Sequence, residues 1–294
     1  MAPTVGRMPP VVLAPFVMWA GGKSKMIRHY RPLWPSGPAC YVEPFFGAGA
    51  VFGWLAGEQR FSCAHIGDVN AELTGLLVEL RDRPDSLIDG AEDLARRYLA
   101  VADRDGRRRF YYALRASYWA EPDAARLLVL LRLGFNGIWQ TCRASHGLYA
   151  TPAGLLHHTV LPQVVDAALL RRWSAALSGV AVHTGSFTTF PMPDEPSCVF
   201  LDPPYRHSHT TYGTRFDDTD QQALAEWFRR QVYAGHRVLL ANRSVAGDRF
   251  FEDRLGDIAD FSYFDVTYTA GRRRRAGAGF AASPAVELLA ISRL

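Results

Sequence analysis

The stretch "ACYVEPFFGAGAVFGWL", residues 39–55, decides the fold. Its first four residues are a short apolar run, which reads as a buried strand. Glycines follow and mark a tight turn, and the apolar segment after them reads as a helix. The same strand–turn–helix pattern returns in "CAHIGDVNAEL", with a strand ending at Asp68 and a helix starting near Asn70. "SCVFLDPPY" is a third buried strand ending at Asp202, "RVLLANRS" a fourth ending at Asn242, and "VELLAIS" a fifth near the C-terminus. Amphipathic helices separate some of these strands. In "DTDQQALAEWFRRQV", Thr219 or Asp220 is placed to cap the start. Strands alternating with helices imply an α/β chain with a mostly parallel, doubly wound sheet.

The middle of the chain reads differently. Residues 76–175 show helical periodicity without a strand series, as in "RRRFYYALRASYW" and "AARLLVLLRL". "NGIWQTCRASHGLYATPAG" then reads as a loop or hairpin, with turn signals at Asn136-Gly137 and His146-Gly147. The expected organisation is one α/β domain from residues 1–75 and 176–294, carrying a helical insertion at 76–175.

The 294 residues are 48% hydrophobic, enough for a sizeable core. The net charge of +4 permits nucleic-acid binding without requiring it, so clustering matters more than the sum. Arginines cluster at Arg107, Arg108 and Arg109, and again at Arg272, Arg273, Arg274 and Arg275. Solvated charged faces are the plain alternative for both runs. Cys40, Cys63, Cys142 and Cys198 are far apart and form no CxxC pair, so neither a zinc site nor a disulfide framework is expected. That usage fits a reducing compartment. The N-terminal run "VVLAPFVMW" is short and interrupted by Pro15, so no membrane span or signal peptide is expected.

"WAGGKSK", residues 19–25, resembles the end of a phosphate-binding P-loop. The motif fails, because the position that must be the first glycine is Val17, a β-branched residue that resists the required turn. Lys23 and Lys25 are nevertheless the only lysines among 33 basic residues. A lysine kept in an arginine-rich chain suggests that a compact point charge is wanted there; chance is the alternative.

In an open parallel sheet, ligands bind at the carboxyl ends of strands. The first strand ends in Glu43 and a loop in which Gly47 and Gly49 let a ligand approach the backbone. Asp68 ends the second strand, where a doubly wound nucleotide site places an acid for ribose hydroxyls. The pair favours a ligand containing adenosine. "DPPY", residues 202–205, is the most specific signal. Consecutive prolines remove backbone donors and fix the turn. The Pro203 carbonyl is left to accept beside the Asp202 carboxylate. Two acceptors next to the Tyr205 ring suit a planar NH2 group.

Taken together, "FVMWAGGKSK", "YVEPFFGAGAVF", "IGDVN", "HTGSF", "FLDPPY" and "VELLAI" resemble the Dam-type DNA adenine-N6 methyltransferase family, in order and over nearly the whole chain. The resemblance implies a Rossmann-like class I methyltransferase sheet and S-adenosyl-L-methionine as methyl donor, with no metal. It implies double-stranded DNA as partner and substrate, with 76–175 as the target-recognition insertion. A cytoplasmic bacterial or phage enzyme and a cognate restriction enzyme as a partner fit the same resemblance. It places Trp19, Ala20, Gly21, Gly22 and Lys23 at the cofactor, with Glu43, Pro44, Phe45, Gly47 and Gly49 from the glycine loop. Asp68 and Asn70 would serve the ribose side, and Ser186 and Phe187 the adenine ring. Asp202, Pro203, Pro204 and Tyr205 form the catalytic motif, with Asp202 between cofactor and target base. Asn136, Arg143, Arg272, Arg273, Arg274 and Arg275 are the residues expected at DNA. At Gln140, Cys142 and Ala150 the chain departs from the family's pattern, so the usual GATC target is not carried over. The alternatives are an RNA adenine or DNA cytosine-N4 methyltransferase, or a DNA-binding protein without catalysis.

Overall fold

A computed structural model of the chain describes residues 12–36, 40–207, 216–268 and 283–293. Seven strands form one sheet: β1 (Cys40–Glu43), β2 (Cys63–Asp68), β3 (Ala181–Thr184), β4 (Ser197–Leu201), β5 (Arg237–Ser244), β6 (Ala259–Tyr268) and β7 (Ser283–Ser292). Their order is β3-β2-β1-β4-β5-β7-β6. The first five strands are parallel, and β7 runs antiparallel between β5 and β6. Chain order reverses between β1 and β4, so the crevice for a ligand opens at the carboxyl ends of these two strands.

The helices are α1 (Ile27–Tyr30), α2 (Ala50–Gly57), α3 (Ala71–Asp82), α4 (Pro84–Leu99), α5 (Arg104–Ala120), α6 (Ala124–Leu133), α7 (Leu161–Val164), α8 (Ala167–Leu177), α9 (Asp218–Tyr233) and α10 (Phe250–Leu255). Alternate residues of the strands feed two cores, one on each side of the sheet. Phe200 and Leu239 pack on one side with Trp54, Leu77 and Trp173 from α2, α3 and α8. Val199, Leu201 and Leu240 pack on the other with Leu224 and Phe228 from α9. Every residue of β4 is buried, as a continuous apolar run covered on both faces requires.

Between β2 and β3 the chain contains helices and loops. The loop after α6 is closed by an isolated antiparallel bridge between Gly134 and Ala153. Its turns fall at Asn136-Gly137 and His146-Gly147, all four with positive φ.

Three sequence expectations need correction. Cys40 and Cys63 form a disulfide, although no disulfide was expected. They are opposite one another in the β1–β2 register, with Cα atoms 4.6 Å apart, a proximity that their 23-residue separation hides. Helix α9 is capped by Asp217, which accepts from the Thr219 and Asp220 amides, not by Thr219 or Asp220. Strands β3 and β6 were not anticipated: β3 is short and β6 is an edge strand with partly exposed, mixed polar residues. Among the described residues, no helix is long and apolar enough to cross a membrane.

Candidate active site

A cavity of about 430 Å³ opens at the carboxyl ends of β1 and β4. Its floor is the glycine loop between β1 and α2. Gly47 has φ 50° and Gly49 has φ 64°, conformations that side chains rarely adopt. A Cβ at Gly49 would lie 2.3 Å from the Phe46 ring, and one at Gly47 would lie 2.9 Å from the Trp19 indole nitrogen. The Phe46 and Trp19 rings already packed there exclude side chains at both positions, so the loop lines the cavity as a glycine cradle of bare backbone.

Asp68 anchors this loop from β2. One carboxylate oxygen accepts from the Gly47 amide and the other from the Asn70 amide, both at 3.0 Å. Burial raises its pKa, and these backbone donors oppose the rise. Asn70 is outside the cavity lining; its side chain caps α3 by accepting from the Glu72 and Leu73 amides. Phe45, Phe187 and Phe216 gather at one end, with ring centroids 5.3–6.0 Å apart. Ser186 caps the short turn that carries Phe187, accepting from the Thr188 amide at 3.2 Å.

At the other end sits an ion pair. The Lys23 ammonium lies 2.7 Å from both oxygens of Asp202. It also donates to the Gly21 carbonyl at 2.9 Å and stands 4.8 Å from the centre of the Tyr205 ring. One compact cation thus joins the "WAGGK" and "DPPY" segments. The Asp202 side chain is 20% exposed, and its exposed part faces the cavity. Burial lifts its pKa to about 6, and Lys23 opposes that rise. Glu43 is 2% exposed and held well above the usual carboxylate range, chiefly by burial. Its Oε2 has no partner among the described residues.

The cavity brings together Trp19, Ala20, Gly21, Gly22, Lys23, Glu43, Pro44, Phe45, Gly47, Gly49, Asp68, Ser186, Phe187, Asp202, Pro203, Pro204 and Tyr205. Asn136 and Arg143 lie outside it, exposed on the 134–153 loop. Arg272, Arg273, Arg274 and Arg275 fall outside the described residues. Sequence reasoning missed Phe46, Ala48, Ala50, Val51, Val69, Gly185, Phe216, Asp220 and Arg243 in the lining. Val69 and Arg243 directly follow Asp68 and Asn242, the strand-end residues already singled out, so their place in the chain was the signal that could have found them.

The 134–153 loop touches the Trp19–Lys23 segment directly. The Ala20 amide donates to the Gly137 carbonyl at 2.9 Å, and Trp19 and Trp139 lie 5.7 Å apart. Glu72 ties the loop to α3 and α5 by accepting from the Tyr149 amide at 3.0 Å and from the Tyr118 hydroxyl. Arg115 of α5 donates to the Ala150 carbonyl at 2.7 Å.

The profile of the D12 class N6 adenine-specific DNA methyltransferases matches residues 19–270. The Type II methyltransferase M.MjaIII of Methanocaldococcus jannaschii is 28% identical over 248 residues, 78% of this chain and 83% of its own. A DNA adenine methylase of Haemophilus influenzae is 30% identical over 224 residues, 72% of this chain and 73% of its own. The DNA adenine methylase of Escherichia coli K12 is 29% identical over 242 residues, 78% of this chain and 81% of its own.

Proposed function

The chain belongs to the D12 class of N6 adenine-specific DNA methyltransferases, and from that membership we propose that it methylates adenine N6 in double-stranded DNA with S-adenosyl-L-methionine, on a base flipped into the cavity beside Asp202. The observation that carries this reading is the Asp202–Lys23 pair at the end of β4, facing the same cavity as the glycine cradle and Asp68.

The residues present fit the cofactor. Gly47 and Gly49 present bare backbone to the cavity, Asp68 offers acceptors for ribose hydroxyls, and the Phe45, Phe187 and Phe216 rings suit a planar purine. Trp19, Gly21, Gly22 and Lys23 bound the end assigned to the methionine part, where Glu43 presents a buried carboxyl oxygen. When bound, this group supplies a methyl already activated on a sulfonium.

The protein's task is then alignment of the acceptor. Adenine N6 is a weak nucleophile because its lone pair is delocalised into the ring. Asp202 and the Pro203 carbonyl each accept from one N–H of the amine, which favours pyramidal nitrogen and localises that lone pair. Two consecutive prolines leave this turn without competing donors. Tyr205 stacks on the extruded base and offsets part of the stacking lost from the duplex. Lys23 holds the Asp202 carboxylate in place and keeps it ionised. We assign target recognition to the helical segment 76–175, supported by the Ala20–Gly137 and Glu72–Tyr149 tethers between its 134–153 loop and the cavity.

Calorimetry on Asp68→Ala tests the cofactor assignment. A hydrogen bond to a charged acceptor contributes roughly 1.5–3 kcal/mol, and Asp68 also holds Gly47. Affinity for S-adenosyl-L-methionine should fall by about 10- to 150-fold, with affinity for DNA much less affected. Unchanged cofactor affinity would remove Asp68 from the site.

A further inference from the structure

Two fully buried amides lie directly behind the catalytic turn. Gln221 of α9 and Asn242 of β5 are both 0% exposed. Gln221 donates through Nε2 to the Pro204 carbonyl at 2.7 Å. Asn242 accepts through Oδ1 from the Arg206 amide at 3.2 Å and from the Arg243 amide at 2.8 Å. The Asn242 Nδ2 donates to Gln221 Oε1 at 3.3 Å and closes the chain.

The backbone fixes the polarity of this pair. Asn242 must turn its oxygen toward two amide donors, and Gln221 must turn its nitrogen toward a carbonyl. Their remaining atoms, a donor and an acceptor, then match. The two peptide groups held are those on either side of Tyr205, so the clamp fixes the backbone from which that ring projects and the far end of the Pro203-Pro204 turn.

We infer that Gln221 and Asn242 are positioning residues for methyl transfer, an amide clamp that sets the Tyr205 ring and the Pro203 carbonyl at the geometry the target amine needs. The inference rests on the assignment of Asp202 and Tyr205 to the flipped base. Neither amide is required to touch substrate or cofactor, and neither lines the cavity. The Arg206 side chain secures the same turn from outside. It bridges Asp218, at 3.0 Å, and Asp248, at 2.5 Å, over the Phe250 ring.

The isosteric variant Gln221→Glu makes the clamp testable. An ionised carboxylate at 221 cannot donate and would oppose the Pro204 carbonyl. A protonated one restores both roles, donating to Pro204 and accepting from Asn242. The charged groups around this position are Asp202 on the turn with Lys23, Asp217 and Asp220 at the start of α9, Arg243 on β5, Glu287 on β7, and Arg206 with Asp218 and Asp248. They are common to wild type and variant, so the ratio of the two rates isolates residue 221.

Single-turnover methyl transfer should be slower in Gln221→Glu by about ten- to a hundredfold at the alkaline pH where the buried carboxyl ionises. The cofactor KM should stay within about twofold. The ratio to wild type should climb toward one as pH falls, whereas Gln221→Met should be slow at every pH. A wild-type rate in Gln221→Met, or a loss in Gln221→Glu that does not respond to pH, would overturn the inference. If Gln221→Glu does not fold, Gln221→Met decides: a slow variant that is folded at the assay temperature and keeps the wild-type cofactor KM upholds the clamp, and a wild-type rate, or a loss that falls on the cofactor KM, overturns it. Asp202→Ala runs alongside as the control. If it retains turnover, the site assignment fails; if it is inactive while both Gln221 variants are normal, only the clamp fails.

Discussion

Asp202 sits between two opposing influences. Burial pushes its carboxyl up to about 6, and the Lys23 ammonium at 2.7 Å pulls it back. The ionised form is the better acceptor for the target amine, so activity should rise with pH through about 6 and level off above it. Removing the cation leaves a buried charge uncompensated and raises that pKa further. Lys23→Met should therefore slow transfer and move the acid limb of its pH profile to higher pH. Single-turnover rates between about pH 5 and 9 read both effects. An unmoved midpoint in Lys23→Met would mean that Lys23 does not set the charge state of Asp202. The selective retention of lysine at this position, visible in a chain with 33 basic residues, has a physical reason here. One compact ammonium reaches the Gly21 carbonyl, Asp202 and the face of Tyr205 at once, where a planar guanidinium has a different shape and donor geometry.

At the scale of elements, Glu72 is the joint between α3, α5 and the 134–153 loop. Glu72→Ala strips the acceptor from the Tyr118 hydroxyl and the Tyr149 amide, at a cost of about 1–3 kcal/mol for each polar group left unpaired. The expected result is a lower melting temperature and a raised KM for DNA, with cofactor affinity close to wild type. A variant that loses cofactor affinity but keeps its KM for DNA would contradict the placement of recognition on this loop. Such joints are invisible in sequence, because Glu72 reads as an ordinary acidic residue in the first turn of a helix. The elements themselves were legible where local chemistry is strong. Strand β4 carries an unbroken apolar run, Cys198 to Leu201, with Asp202 directly after it, and Asn70 stands where α3 begins. They were not legible where partners come from afar. The Cys40–Cys63 bond depends on the β1–β2 register, and the Gln221–Asn242 clamp depends on α9 crossing behind β5. In "DDTD" several acceptors compete for one cap, and only the backbone shows that Asp217 takes it.

For the molecule as a whole, the sheet order β3-β2-β1-β4-β5-β7-β6 puts the reversal between β1 and β4. Three of the cavity-facing acids then follow from strand order: Glu43 ends β1, Asp68 ends β2 and Asp202 follows β4. The large helical segment leaves the sheet after β2 and returns at β3, which brings its loop against Trp19 and Ala20 at the mouth of the cavity. The glycine loop, the Lys23–Asp202 pair and the proposed recognition loop therefore meet at one end of one sheet. The most direct measurement is the identity of the methylated base. The purified chain is incubated with duplex DNA and S-adenosyl-L-methionine carrying a tritiated methyl group, and the DNA is digested to nucleosides and separated. Label should appear in N6-methyldeoxyadenosine and vanish with Asp202→Ala. Label in N4-methyldeoxycytidine, no label in the DNA at all, or label undiminished in Asp202→Ala would contradict adenine methylation at this site.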